Sequence, residues 1–481
     1  MFWRGVVGYL PVNIVQGVVG LLTIVTFTRL LTPAQFGDYA LGFSVASLVH
    51  TGVFTWNEAA YARHWAAESE RDDGRDLAAT AHRTWLFLLA VLPLAGLIAW
   101  LTPLSPGLNL AVLAGLASVV PRTFARMVQE RRRAAGEVAG AASIDLVQTA
   151  GGFAAGALLA LAGLGGAAPL IGSGLAAGAC AVWCLRPEHA RTVGGRFETA
   201  RAVRHARYGV PVALSLILAL VLSSTDRFLL AAFLDQAAVG VYHAGYSLAN
   251  RTLDVVFIWL GSAGGPALIM ALERGGRPAL AEAAREQAGL MLLLTVPAAV
   301  GLALVAAPLA QLMVGSELAQ GAAQVTPWIA ASGLLAGLTT YYFHQAFTLG
   351  QRTMFLLAAM AVPALANLVL NLLLIPRMGL QGALVATVVS YAVGLAASAA
   401  LGRRLMALPI PWSILFQAAG ASLAMALVVS RIPAIGGLPE LLAKATAGAA
   451  VYAALVCALD AGGLRSRAGQ ALRQLRARNA A

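Results

Sequence analysis

The sequence predicts an all-α polytopic membrane protein, and three observations predict it. Of 481 residues, 59% are hydrophobic and only 11% are charged. The mean hydropathy is +0.77. That much apolar surface exceeds what a soluble fold hides, so the bilayer must cover the remainder. The third observation is a basic imbalance, a net charge of +12 from 33 Lys and Arg. In a soluble protein this would point to nucleic acid. In a membrane chain, loops on the cytoplasmic side accumulate such residues, and no nucleic-acid partner is expected.

A spanning helix needs about 20 mainly apolar residues. Fourteen segments meet that length: 6–30, 38–61, 83–101, 107–128, 140–162, 167–185, 208–233, 240–268, 288–314, 325–348, 353–375, 380–402, 412–431 and 441–461. The opening segment is expected to be a retained first helix, because no small-residue cleavage site follows it. With the N-terminus inside, 27 of the 33 cationic side chains fall on the cytoplasmic side, and both termini are cytoplasmic. Segment 63–83 and the basic tail 464–481 belong to that side.

Cys180, Cys184 and Cys457 lie in apolar stretches and read as small hydrophobes, giving no disulfide framework. No metal site, cofactor or catalytic group is expected. No G-x-x-x-x-G-K-[ST] segment is present, which argues against a nucleotide-driven pump.

The chain repeats itself. Leu31, Ala34, Gly37 and Tyr39 recur as Leu234, Ala237, Gly240 and Tyr242, offset by 203. Gly163-Leu164 and Gly166-Ala167 recur as Gly379-Leu380 and Gly382-Ala383, offset by 216. Two six-helix halves with the same direction follow, related by an axis along the membrane normal. The expected organisation is an N-lobe (1–206), a C-lobe (207–404), two extra helices (405–463) and the tail (464–481).

Three passages carry a family resemblance: Arg29 to Tyr39, Asp226 to Ala249, and Asn367 to Ala383. On these the chain resembles the oligosaccharide-lipid flippases, or polysaccharide transporter family, of the multidrug/oligosaccharidyl-lipid/polysaccharide (MOP) exporter superfamily. The resemblance implies a flippase for undecaprenyl-diphosphate-linked oligosaccharide. It places the chain in the inner membrane of a bacterium, serving lipopolysaccharide or exopolysaccharide synthesis. Its partners would be that substrate, membrane lipids, a coupling proton or sodium ion, and polysaccharide assembly proteins. Two alternatives stand beside it: a cation-coupled multidrug antiporter of the same superfamily, and a polyprenyl-dependent glycosyltransferase or polymerase. The expected outer connections are short and acid-poor, which weighs against the enzyme.

Ionisable residues inside spans are costly and therefore mark candidate sites. For the diphosphate and glycan these are Arg227, Arg251, Arg29, Arg122 and Arg126, since a guanidinium grips phosphate through paired hydrogen bonds. For ion coupling they are Asp226, Asp145, Glu58 and Asp254. Arg251 and Asp254, three apart on a helix, are expected to pair. His50, His243 and His344 are expected to pack, and Asn367 and Asn371 to bond between helices. Pro11, Pro211, Pro297 and Pro363 are expected to kink their helices.

Overall fold

The computed structural model describes residues 2–72, 74–463 and 465, with only the backbone described for 2–11, 70–72 and 353. The basic tail therefore lies outside the described residues, apart from Arg465. Among those residues the fold is helical throughout, with no strand. Among the described residues, eleven helices are long and apolar enough to cross a membrane. The chain forms two compact units, Met1–His243 and Ala244–Ala481.

In the first unit, α1 (Phe2–Leu30) leads to α2 (Pro33–Val49), a π-helical turn (His50–Phe54) and α3 (Thr55–Asp72). The start of α2 is fixed by local chemistry. Thr32 accepts a hydrogen bond from the Gln35 N–H (3.3 Å), and Gln35 accepts one from the Thr32 N–H (3.1 Å). Pro33 follows the cap, where its missing N–H costs nothing. Next come α4 (Arg75–Leu88), α5 (Val91–Leu101) and α6 (Pro106–Ala134). The long α6 opens on the Ser105 cap and closes on Arg131, Arg132 and Arg133, whose charges suit its negative dipole end. Then α7 (Val138–Leu146), a second π turn and α8 (Gly152–Leu161) pack against α1 and α9 (Ala168–Thr192). Finally α10 (Thr199–Phe233) packs along α3. The core joins Tyr61, Trp65, Phe124, Met127, Cys180 and Cys184, so these two thiols are buried hydrophobes as expected.

The second helix group begins with α11 (Gln236–Leu304), which starts in the first unit and continues in the second. It holds two of the expected spans. The break between them is Gly276, at φ 64° and ψ −158°, a conformation that a side chain would strain. Pro278 follows two residues later. Pro211, Pro297 and Pro363 lie inside α10, α11 and α15, and the side chain of Pro11 is outside the description. α12 (Ala306–Met313), α13 (Ser316–Leu338), a third π turn and α14 (Gln345–Leu349) follow. α15 (Thr353–Met378) and α16 (Leu380–Arg403) form a hairpin against α13. α17 (Trp412–Val429) and α18 (Gly437–Ala458) pair and share a core with Leu292, Leu293 and Val296 of α11. Large apolar side chains such as Phe87 (71% exposed) and Trp259 (67% exposed) cover the surface, which suits lipid and not water.

Candidate functional site

The first repeat motif meets its own copy. Gly37 in α2 and Gly240 in α11, the equivalent glycines, face each other at a backbone-to-backbone crossing. A Cβ at Gly37 would overlap the Gln236 carbonyl, and one at Gly240 would overlap the Pro33 carbonyl. Hydrogen at Cα is what lets these two helices touch. Further along the same unit, α3 and α10 cross equally closely, with Gly209 against the Trp56 carbonyl. There His64 and His205 stack (5.3 Å, 10° between planes), and Arg201 pairs with Glu68 at 3.1 Å.

Between these crossings lies a polar pair inside the span. His50 Nε2 sits 3.0 Å from Glu58 Oε1, and Glu58 is 4% exposed. The π turn makes this possible. A π turn holds about one residue more than an α turn, so the eight residues from 50 to 58 make two turns. Position 58 therefore returns beneath position 50. In a regular helix the two would sit on different faces, which is why the sequence reads His50 as a packing residue. The correction is that it is hydrogen-bonded to the Glu58 carboxyl group. Arg122 of α6 interacts electrostatically with Glu58 and with Tyr39. It forms no ion pair within 4 Å among the described residues, so the three side chains make a loose cluster.

The remaining candidates separate into distinct places. Arg126 pairs with Glu130 at 2.8 Å and bonds Gln129 at 3.1 Å. Asp145 pairs with Arg133 at 2.8 Å. Both thus belong to an ion network at the arginine-rich end of α6. Asp226 is buried and accepts the Tyr242 hydroxyl, another repeat residue. Arg227 is also buried and folds back to donate to the Ser223 carbonyl at 3.2 Å. Arg29 is exposed and donates to the Val25 carbonyl at 2.8 Å. In the second unit, Asp254 takes its hydrogen bond from Asn250 at 2.7 Å. The expected Arg251–Asp254 pair does not form within 4 Å. Arg251 is exposed and acts on Asp254 only at longer range. Spacing of three allows a pair, but Asn250 reaches Asp254 from one turn away and needs no desolvated charge.

Asn371 donates to the Asn367 carbonyl of its own helix at 2.9 Å, and both side chains are fully buried. His243 packs on Phe36 (5.3 Å), and His344 contacts the Ser398 hydroxyl at 3.3 Å.

Sequence reasoning missed two features of the first unit. One is Asp38, buried beside the start of α6, next to Gly107. Its signal was the repeat motif itself, where Asp38 stands between Gly37 and Tyr39. The other is the Arg131–Glu188 pair (2.9 Å), with both side chains 1% exposed. Arg131 also reaches Glu137 at 2.8 Å and lies 5.1 Å over the Trp65 ring. Nothing local in sequence joins residues 131 and 188.

Residues 26–322 match the family model described as "Polysaccharide biosynthesis protein". The chain belongs to this family. That segment includes both copies of the Gly37/Gly240 motif and the His50–Glu58 pair. No curated protein sequence matches the chain. Among solved structures, it is similar to "Lipid II flippase MurJ, inward closed conformation", with a TM-score of 0.76 and 13% identity, over 94% of this chain and 98% of that one. It is also similar to an inward-facing MATE-family multidrug resistance transporter of the MOP superfamily. There the TM-score is 0.66 and the identity 13%, over 81% of this chain and 94% of that one. A Vibrio cholerae MATE transporter matches with a TM-score of 0.54 and 18% identity, over 83% and 97% of the two chains. The fold is therefore that of MOP-type flippases and transporters, and these neighbours are not enzymes. The chain is a multi-pass membrane protein.

Proposed function

We propose that this polysaccharide biosynthesis protein is a flippase for undecaprenyl-diphosphate-linked oligosaccharide, working by alternating access. The observation that supports it best is the crossing of Gly37 and Gly240. The equivalent glycines bring α2 and α11 backbone to backbone, Gly209 does the same for α10 against α3, and helices that meet at such close points can part at one and then the other. The charged headgroup and glycan would pass between them while the polyprenyl tail stays in lipid. No bond needs to form or break.

In this reading there are fourteen spans, with both termini in the cytoplasm of a bacterium and the protein in its inner membrane. The lobes are 1–206 and 207–404, with 405–463 outside the repeat. Arg122, Arg251, Arg29 and Arg126 offer charge to the diphosphate, and Arg227 joins them once α10 moves. The His50–Glu58 pair carries the coupling proton, because two proton-binding groups share a hydrogen bond there, at 3.0 Å, inside the span. Asp226, Asp145 and Asp254 are the further ion-coupling candidates. Polymer assembly proteins would take the product.

The test is leaflet exchange in proteoliposomes carrying fluorescent polyprenyl-diphosphate oligosaccharides. The wild type should accelerate exchange, and Gly240→Val, which forces the crossing apart, should not. No acceleration over empty liposomes across several glycans and ion gradients would sink the proposal. A second reading, cation-coupled multidrug antiport, is favoured by the buried Glu58 carboxylate alone. Proton-driven uptake of an organic cation by the same vesicles, without glycolipid exchange, would select it.

A further inference from the structure

The first unit carries a cavity of about 440 Å3 that none of the residues above uses. It lies between α4, α6, the end of α9 and the loop 193–195. Its lining has two characters. Arg83 and His189 supply nitrogen donors, and no carboxylate lines it among the described residues. Neither side chain has an ion-pair or hydrogen-bond partner among the described residues, although the arginines of α6 at the same end are paired. His82, tied through Nδ1 to the Ala78 carbonyl, and Thr192 add polar groups at the edge, and Trp85, Leu86, Phe124 and Leu185 form an apolar wall. Trp85 is held in place by donating to the Thr123 hydroxyl at 2.9 Å. Leu86 and Leu185 are 59% and 55% exposed, so the apolar side opens onto the surface that lipid covers.

We propose that this cavity is a binding site for an anionic glycerophospholipid, with the phosphodiester on Arg83 and His189 and the first acyl methylenes against Leu86 and Leu185. Charge complementarity sets the headgroup: two unpaired donors and no acid select a net negative phosphate. The apolar half sets the tail, because a free phosphate would leave it uncovered. The volume sets the size, as it takes a phosphodiester and not an oligosaccharide. The site goes beyond the flippase reading and draws on it only for the leaflet, the cytoplasmic one.

The test is native mass spectrometry of the full chain in detergent, titrated separately with phosphatidylglycerol, phosphatidylcholine, undecaprenyl phosphate and inorganic phosphate. The expected result is preferential retention of phosphatidylglycerol by the wild type, unaffected by inorganic phosphate. The double variant Arg83→Gln/His189→Gln should lower that retention about five-fold or more, as removal of surface cations near lipid phosphate does. Leu185→Trp, which fills the cavity without changing charge, should lower it as well. Arg404→Gln, which removes an exposed cation of the second unit, should not. Equal retention of the two phospholipids would overturn the proposal. So would an equal loss in Arg404→Gln, or a preference for undecaprenyl phosphate. Retention is read without transport, so failure of the flippase assay leaves this result independent.

Discussion

Two charge clusters in the first unit look alike in sequence and differ in structure. At the end of α6, Arg131 lies between Glu188 (2.9 Å) and Glu137 (2.8 Å), with Arg191 and Arg132 at 3.8 to 3.9 Å from those carboxylates. Partners surround each charge there. In the middle of the α2–α3 span, Glu58 has His50 at 3.0 Å and Arg122 only at long range. A surrounded cluster is fixed by its own electrostatics. A sparse one can change protonation or exchange a partner for substrate at low cost. The first is a structural clasp, and the second is where the proposed transport cycle would act.

The largest expected effect breaks the clasp. Glu188→Ala leaves Arg131 buried with only the half-exposed Glu137, which should cost about 3–5 kcal/mol. A thermal melt of the purified protein in detergent reads this as a marked fall in Tm, and an unchanged Tm would show that the clasp is not structural. Arg122→Gln tests the other cluster. It should abolish or strongly reduce glycolipid exchange while Tm stays close to the wild type, since no close ion pair is lost. Parallel losses of Tm and exchange would erase the distinction between the two clusters.

Glu58→Gln is a finer probe. The amide keeps the shape and can still accept from His50, so stability should change by no more than about 1 kcal/mol. Transport should lose its dependence on a proton gradient. If the gradient still drives exchange in this variant, the coupling site lies elsewhere.

The smallest effect is a pH dependence at the clasp. Burial raises the Glu137 carboxyl, but the hydrogen bond and charge of Arg131, with Arg191 and Arg132, more than offset this and hold it below the ordinary value of 4.5. A carboxyl depressed by folding stabilises the native state above its unfolded value. That contribution is lost as pH falls through the folded value. Tm should therefore drop below about pH 4.5, and Glu137→Gln should flatten that drop. With a side chain 41% exposed, Glu137 is screened by solvent, so the effect stays under about 1 kcal/mol.

Much of this protein was legible from its residues. Hydropathy pointed to a helical membrane protein because lipid permits little else. The repeat pointed to Gly37 and Gly240 before any contact was known. It did so because only glycine allows two backbones to touch, and that requirement is written at single positions. Sequence did not reveal that these two glycines touch each other, that a π turn pairs His50 with Glu58, or that Arg131 finds Glu188. Nor did it show that Asn250, and not Arg251, reaches Asp254. Those are relations between side chains on different turns or different helices. Helical spacing limits which residues can meet, whereas burial and the competition among nearby partners decide which do. The tertiary structure alone could separate a surrounded clasp of charges from a sparse cluster.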